Sequence, residues 1–262
     1  MSKGSPSVRL RHFLSEHWPA RAIHILLGKR FRRAFPVHPF DRLHRIDTSG
    51  LIYAESLPSG HRHDQQSEGY YATAPSLFRG VIDAWRATLS SAGSNLNGYT
   101  LFDIGCGKGR VLLLASEYPF RNIVGVELHP GLAQTARSNL KAWMRTPRAC
   151  GNVTIAAGDV FQVPIPDGPV VIYLFNSFGR ELLQMLLDHL LAVSATRCDP
   201  IDLLYVHPEF GDLVRQTPRM ELLADEEFLF SAEDAEADVF GVNFDRCGIY
   251  RLPGLLTVER TA

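Results

Sequence analysis

Strand-like and helix-like patterns of apolar residues alternate between residues 100 and 206. Short apolar runs typical of buried strands are separated by longer segments with apolar residues at helical spacing. Such alternation predicts parallel βαβ units, with helices on both faces of an open, doubly wound α/β sheet. We predict strands over residues 100–104, 123–126, 153–156, 170–175 and 203–206, and helices over 110–117, 131–143 and 180–193.

Both flanks of this region have a different pattern. Residues 7–34 predict one or two short helices, residues 46–72 are polar and loop-like, and a further helix is predicted from Thr73 onwards. Beyond residue 206, the stretches "RMELLADEEFLF" and "RCGIYRLPG" predict two strands joined by an acidic turn. We therefore expect a C-terminal antiparallel hairpin at one edge of the sheet.

Composition is that of an ordinary globular protein of 262 residues, 45% hydrophobic and 21% charged. No apolar run approaches the roughly 18 to 20 residues of a membrane span, and the first residues lack the features of a secretory signal. The four cysteines include no CxxC pair, which argues against a structural zinc site and favours reduced thiols. We expect a cytoplasmic protein without a membrane span.

Charge is distributed unevenly, although the formal net charge is only -1. The first fifty residues hold ten lysines and arginines against three acidic residues, and residues 221–238 are rich in acids. Nucleic-acid docking and attachment to an anionic membrane are two interpretations of the basic segment. A solvated helix face that packs on its own protein is the interpretation that we favour for so short a stretch.

The stretch "HRHDQQ" places His61, His63 and Asp64 close together, which suggests a metal site. These residues belong to a polar loop, and no second cluster of spaced ligands accompanies them. We therefore interpret them as an ordinary exposed turn and predict no metal.

The stretch "FDIGCGKGR" follows the first strand of the alternating region with three glycines, Gly105, Gly107 and Gly109. A dinucleotide fingerprint, GxGxxG, needs a glycine where Arg110 stands. A phosphate-binding P-loop needs lysine followed by serine or threonine, whereas Lys108 lies between two glycines. Neither phosphate-binding motif is therefore matched.

Asp103 precedes the first glycine by two positions, at the predicted carboxyl end of the strand. A carboxylate at that point repels a pyrophosphate and attracts a cationic amine. S-adenosylmethionine carries an ammonium group and a sulfonium centre and has no phosphate. It is the ligand that this charge pattern favours.

Residues 70–206 resemble the class I, seven-strand, Rossmann-like S-adenosylmethionine-dependent methyltransferases. "FDIGCGKGR" looks like their first motif, and Glu127 in "IVGVELHP" lies 24 positions after Asp103, where the second motif is expected. The resemblance implies that Glu127 holds the ribose hydroxyls, and that Asp159 and the backbone of Val160 meet the adenine. The cofactor site that it implies consists of Tyr71, Thr73, Asp103, Gly105, Gly107, Gly109, Glu127, Leu128, Asp159, Val160 and Asn176.

Within the family the sequence looks closest to a bacterial branch related to seven-strand protein-lysine methyltransferases. "YATAP" matches a Y-x-T-x-P element of that branch, so Tyr71 and Thr73 are expected to close over the methionine end. An N-cap of the following helix is the other interpretation of Thr73. We divide the chain into a basic helical extension (1–48), a cofactor-covering loop with the first helix (49–97) and the methyltransferase core (98–262).

The acceptor site is expected at the end of the fourth strand, where "YLFNSFG" resembles the Asn-Pro-Phe element of amine-directed methyltransferases. Ser177 replaces the proline, and we predict Asn176 and Phe178 as catalytic residues, with a helix cap as the other interpretation of Asn176. His207 and Glu209 are candidate base or acceptor contacts, or members of an ordinary polar loop.

The predicted function is methyl transfer from S-adenosylmethionine to an amine or similar nucleophile, protein lysine included. We expect the methyl acceptor to be a protein or a small molecule rather than a nucleic acid. The sequence does not identify this acceptor. The alternative is a binding module that holds the cofactor without catalysis and attaches to a partner through its basic arm. An NAD-dependent reductase ranks below both because of Asp103 and Arg110.

Overall fold

The structure, a computed structural model, describes residues 37–89 and 95–255. The helices predicted over residues 7–34 lie outside this part. The helices are α1 Pro39–His44, α2 Pro75–Thr88, α3 Arg110–Ala115, α4 Pro130–Trp143, α5 Arg180–Ser194, α6 Gly211–Gln216 and α7 Ala232–Ala237. The strands are β1 Leu51–Ile52, β2 Tyr70–Tyr71, β3 Thr100–Ile104, β4 Asn122–Glu127, β5 Val153–Ala157, β6 Val170–Phe175, β7 Ile201–Val206, β8 Glu221–Leu229 and β9 Phe244–Leu252.

Seven strands form one sheet in the order β5-β4-β3-β6-β7-β9-β8. The five strands from β5 to β7 are parallel, and β9 lies antiparallel to both β7 and β8. The predicted mostly parallel seven-strand sheet with an antiparallel edge pair is thereby confirmed. Helix α7 lies between β8 and β9, where the sequence predicts only an acidic turn.

Strand β3 lies in the middle of the sheet, between β4 and β6. The chain runs from β3 outward to β4 and β5, and then returns to the other side of β3 with β6 and β7. In such an order the neighbouring connections leave in opposite directions and open a crevice beyond the carboxyl ends of the strands. This crevice is where a ligand site is expected.

Apolar side chains cover both faces of the sheet, because each parallel strand is buried on both sides. On one face the core includes Leu101 and Tyr173 from the sheet and Trp85 from α2. On the other face Phe102 and Leu186 belong to a second core under α5. The ends of the central strands are thus held rigidly by two layers of packed helices.

The region read as a loop from its sequence, residues 46–72, contains the two short strands β1 and β2, which pair antiparallel. Helix α2 then begins at Pro75 with Ala74 as its N-cap, and no side chain caps it. The interpretation of Thr73 as the N-cap is therefore wrong. Proline is well suited to the first helical position, because an N–H group at that position would have no partner within the helix.

Residues 38–49, here called the strap, bind to the start of α3. The buried carboxylate of Asp41 accepts hydrogen bonds from Thr48 N and Oγ1 at 2.5 Å each. Arg110, also buried, is 3.3 Å from Asp41 Oδ1 and donates to Thr48 Oγ1 at 2.7 Å. The strap thus has its own buried ion pair with the core.

None of the helices within residues 37–89 and 95–255 is long and apolar enough to cross a membrane. The cytoplasmic location stays a prediction.

Candidate functional site

A cavity of about 120 Å³ lies at the carboxyl ends of the central strands. Three carboxylates meet there because Asp103 lies in β3, Glu127 ends β4, and Asp159 follows β5 by two residues. The predicted site residues that line the cavity are Tyr71, Thr73, Asp103, Gly105, Gly107, Glu127, Leu128, Asp159, Val160 and Phe178. Gly109 and Asn176 are not among its lining residues.

Asp103 is 3% exposed, and its Oδ2 atom has no hydrogen-bond partner in the described part of the chain. Burial, with the nearby Glu127 adding to it, raises the pKa of Asp103 well above its ordinary value. A buried oxygen without a partner indicates a missing ligand group. A cationic ammonium fits this oxygen, because it supplies both the hydrogen bond and the opposite charge.

Glu127 is held by the backbone on both sides of its carboxylate. Oε2 accepts from Gly107 N and Oε1 from His129 N, each at 2.8 Å. Burial raises the pKa of Glu127, while these backbone hydrogen bonds lower it. Each carboxylate oxygen retains a second lone pair, so two neighbouring hydroxyl groups can still donate to this side chain.

Asp159 uses its two oxygens differently. Oδ1 accepts from Phe161 N at 3.1 Å and so caps the 3-10 helix Val160–Gln162. Oδ2 faces two imidazole rings, at 3.7 Å from His61 Nε2 and 3.6 Å from His63 Nε2. The prediction of an ordinary exposed turn is wrong for His63, which is 8% exposed and whose pKa is lowered by burial.

The glycine loop is covered at Gly105 and Gly107, which explains why these two positions bear no side chain. Gly105 and Gly107 both have positive φ, +74° and +54°. A Cβ at Gly105 would lie 2.6 Å from Ser177 Oγ, and one at Gly107 would collide with the ring of Tyr70. Glycine is therefore required here by conformation and by space.

Strand β2 forms the roof of the cavity. Tyr70 donates its hydroxyl to Thr48 O at 2.6 Å, so its ring is fixed over Gly107 by the strap. Tyr71 donates its hydroxyl to Asp238 Oδ2, and its ring lies 5.8 Å from the ring of Phe175. Sequence reasoning found Tyr71 but missed Tyr70, although the two residues are adjacent in "YYATAP".

Arg110 occupies the position where a dinucleotide fingerprint has its last glycine. Besides binding Asp41, its guanidinium donates to Thr73 O at 3.2 Å. The side chain lines the cavity, yet its charge is already compensated inside the protein by Asp41. Arg110 thus joins the strap and the roof to the glycine loop.

Asn176, predicted as an acceptor residue, has a side chain held away from the cavity lining. Its Oδ1 accepts from Tyr205 OH at 3.0 Å, and its Nδ2 donates to Glu209 Oε2 at 3.2 Å. It does not cap α5, whose N-cap is Gly179. Ser177 and Phe175, which the sequence did not single out as site residues, line the cavity instead. The role of Asn176 stays a prediction.

His207 lies beyond the end of β7 with a positive φ of 51°. Its Nδ1 is 3.0 Å from Asp245 Oδ1, and its ring centroid is 6.5 Å from that of Phe175. One aromatic ring therefore separates this pair from the cavity. Neither His207 nor Glu209 is among the lining residues.

Residues 101–194 match a family model described as a methyltransferase domain. The match includes the glycine loop and all three carboxylates. It confirms the predictions of a methyltransferase enzyme and of S-adenosylmethionine as its cofactor. No curated protein sequence matches the chain.

Solved structures with a similar arrangement include three methyltransferases. An RNA methyltransferase from Salinibacter ruber in complex with S-adenosyl-L-homocysteine is 20% identical, with a TM-score of 0.41, over 67% of this chain and 91% of that chain. The tRNA methyltransferase TrmK from B. subtilis is 12% identical, with a TM-score of 0.46, over 71% and 68%. A precorrin-6y C5,15-methyltransferase from Geobacter metallireducens is 18% identical, with a TM-score of 0.43, over 69% and 92%.

Proposed function

We propose that this methyltransferase transfers the methyl group of S-adenosylmethionine to an amine or a similar nucleophile, with protein lysine among the candidates. The observation that carries the proposal is the buried Oδ2 of Asp103 in β3, beside Glu127. This oxygen has no hydrogen-bond partner among the described residues. This arrangement suits a ligand with a positive charge near the glycine loop.

The cofactor supplies an activated methyl group on a sulfonium. Asp103 would accept a hydrogen bond from its ammonium, and Glu127 would accept from both ribose hydroxyls through the lone pairs that the backbone leaves free. Asp159 and the backbone of Val160 are the proposed contacts of the adenine. Gly105 and Gly107, which line the cavity, would lie beside the methionine part, and Tyr70 and Tyr71 would cover it.

An amine acceptor is supported by the charge of the cavity. Besides the three carboxyl groups that are proposed cofactor contacts, those of two further lining residues, Asp64 and Glu68, belong to the cavity, whereas the lining Arg110 is paired with Asp41. An acidic cavity attracts a cationic amine and repels phosphate groups. The five acidic lining residues are Asp64, Glu68, Asp103, Glu127 and Asp159.

Aromatic rings in the cavity lining also support an amine acceptor. Tyr71 and Phe175 contact each other edge to face, and Phe178 lines the cavity next to them. Aromatic faces attract cationic groups and exclude water, and an in-line transfer needs mainly such positioning. A protonated amine must lose a proton before it attacks, which calls for a nearby base or for solvent access.

Binding of the cofactor by the full chain is tested by isothermal titration with S-adenosylhomocysteine. We expect Asp103→Ala and Glu127→Ala each to weaken binding at least about tenfold, since each removes charge-assisted hydrogen bonds. Asp83→Asn, an exposed carboxylate on α2, is the control and should leave binding unchanged. Equal affinity in all four proteins would contradict the proposed site.

The acceptor class is tested by incubating the protein with S-adenosylmethionine labelled in the methyl group and with fractionated cell extract. Label in protein or in small amines supports the proposal. Label in nucleic acid contradicts the amine acceptor. Tight cofactor binding without transfer to any fraction would favour the alternative, a binding module without catalysis.

A further inference from the structure

A histidine pair from one loop and a carboxylate from a distant strand end meet beside the cavity. The ligand atoms of His61, His63 and Asp159 all lie within 4.8 Å of one another. The side chains of His63 and Asp159 are 9% and 5% exposed, and that of His61 is 29% exposed. The cluster is therefore largely shielded from water and accessible at His61.

The distances suit a shared cation better than direct hydrogen bonds. His61 Nε2 and His63 Nε2 lie 3.7 and 3.6 Å from Asp159 Oδ2, beyond hydrogen-bond range. Two ligand atoms that are each about 2.1 Å from a tetrahedral ion lie about 3.4 Å apart. Both histidine nitrogens are thus close to the separation from the carboxylate that a bound ion requires.

The loop that carries the histidines is held in place before any ion binds. Asp64 accepts hydrogen bonds from the backbone N–H groups of Ser59 and Gly60, at 2.9 Å each. Ser67 Oγ donates to His63 O at 3.0 Å, and Gly179 N donates to Gln66 O at 2.8 Å. These contacts fix the histidine pair on the start of α5, so little conformational entropy remains to be lost on binding.

The nitrogen of His63 that faces Asp159 carries a lone pair, which accepts a hydrogen bond from Arg62. Arg62 Nε donates to His63 Nε2 at 3.3 Å, which assigns the ring proton of neutral His63 to Nδ1. His61 Nδ1 accepts a long hydrogen bond from His63 N, also at 3.3 Å, so the ring proton of neutral His61 is on Nε2. An ion on His61 Nε2 would require the other tautomer, with the proton on Nδ1, and would break this hydrogen bond. Arg62 is then the cation that a metal ion must displace.

We propose that His61, His63 and Asp159 bind a divalent transition-metal ion, with Zn²⁺ as the best match to two imidazoles and one carboxylate. Three protein ligands leave a fourth position open, as in zinc sites that bind a further molecule. The site shares Asp159 with the proposed adenine contact, but its existence does not depend on the proposed function.

Titration of the full chain with Co²⁺, after treatment with a chelator, tests the site. We expect the visible absorption of Co²⁺ in a four- or five-coordinate site to saturate at one equivalent, and Zn²⁺ to abolish it. His61→Ala and His63→Ala should each weaken binding at least about tenfold, because even outer contacts of metal ligands have effects of this size. Arg62→Gln should tighten binding, since it removes the competing cation.

His189→Ala is the matched control, because His189 contacts Phe161 at a centroid distance of 6.1 Å and is no member of the cluster. Circular dichroism shows whether each variant is folded. The proposal is overturned if Co²⁺ gives no such band with the unchanged protein. It is equally overturned if the His61→Ala/His63→Ala double variant binds Co²⁺ as tightly as the His189→Ala protein.

Discussion

At the scale of one residue, Asp103 shows that a group suited to ligand binding lowers the stability of the ligand-free protein. Its carboxylate is buried, one of its oxygens has no partner within residues 37–89 and 95–255, and Glu127 adds a second negative charge nearby. Burial of an unsatisfied polar group destabilises a folded protein by about 1–3 kcal/mol. The protein retains this group because, as we propose, the cofactor supplies the missing partner.

Asp103→Asn should therefore stabilise the cofactor-free protein at neutral pH while it weakens cofactor binding. We expect the melting temperature to rise by roughly 2–4 °C, the shift that about 1 kcal/mol causes in a domain of this size. Thermal unfolding with and without S-adenosylhomocysteine measures both effects. A lower melting temperature for this variant, or an unchanged cofactor-induced shift, would contradict the argument.

The stabilisation by Asp103→Asn should also depend on pH. Whether it grows or shrinks with rising pH follows from the direction of the pKa shift of Asp103. The pKa of Asp103 in the folded protein lies well above 3.8, because burial and Glu127 disfavour its charged form. Its contribution to stability is full below pH 3.8 and is lost as the pH rises through the folded-state pKa. The stabilisation by Asp103→Asn should thus shrink as the pH falls toward 3.8.

At the scale of elements, the strap connects the roof of the cavity to the glycine loop. Arg110 reaches Asp41 in the strap and the carbonyl of Thr73 beside β2, and Tyr70 in β2 donates to the strap residue Thr48. Since the connecting groups are buried, they are screened little by solvent. Loss of one of them should loosen all three segments.

Asp41→Asn should destabilise the protein by about 3–5 kcal/mol, the usual effect of leaving one partner of a buried ion pair without its counter-charge. Urea unfolding measures this change. The matched control is Glu117→Gln, which breaks an ion pair between Glu117 and Arg79. The side chain of Arg79 is 44% exposed and that of Glu117 is 32% exposed. The effect of Glu117→Gln should stay below about 1 kcal/mol. An effect of Asp41→Asn as small as that of Glu117→Gln would show that the buried ion pair stabilises the protein no more than an exposed one.

At the scale of the whole molecule, opposite charges are concentrated in different segments of the sequence. The first fifty residues carry a strong positive excess, whereas acidic residues outnumber lysine and arginine among the residues that line the cavity. A cleft lined by one sign of charge concentrates ligands of the opposite sign. This charge of the cavity supports the acceptor that we propose, a cationic amine.

Methyl transfer to a cationic amine acceptor should therefore slow as ionic strength rises. Added salt shortens the screening length from about 10 Å at 0.1 M to about 3 Å at 1 M, which weakens the attraction to the cavity. Initial rates at low acceptor concentration, with saturating cofactor, measure this effect. Rates that increase with salt would contradict an acidic, amine-attracting cavity.

The sequence by itself determined the sheet and the positions of its three acidic residues. Strand order along the chain and the residues at strand ends are local properties, and parallel strands bring their carboxyl ends to one edge. Asp103 is indicated by its place at a strand end, and the resemblance to class I methyltransferases implies the roles of Glu127 and Asp159. The charge of Asp103 before the glycine loop and this resemblance together indicate the cofactor class.

Only the tertiary structure decided what surrounds those residues. The meeting of His61 and His63 with Asp159, of Arg110 with Asp41, and of Tyr70 with Gly107 joins segments far apart in the chain. Side-chain periodicity does not encode such contacts, because they depend on how loops settle on a finished sheet. A histidine loop that looked exposed in the sequence thus became part of the site wall, and Asn176 turned toward Tyr205 instead of the cavity.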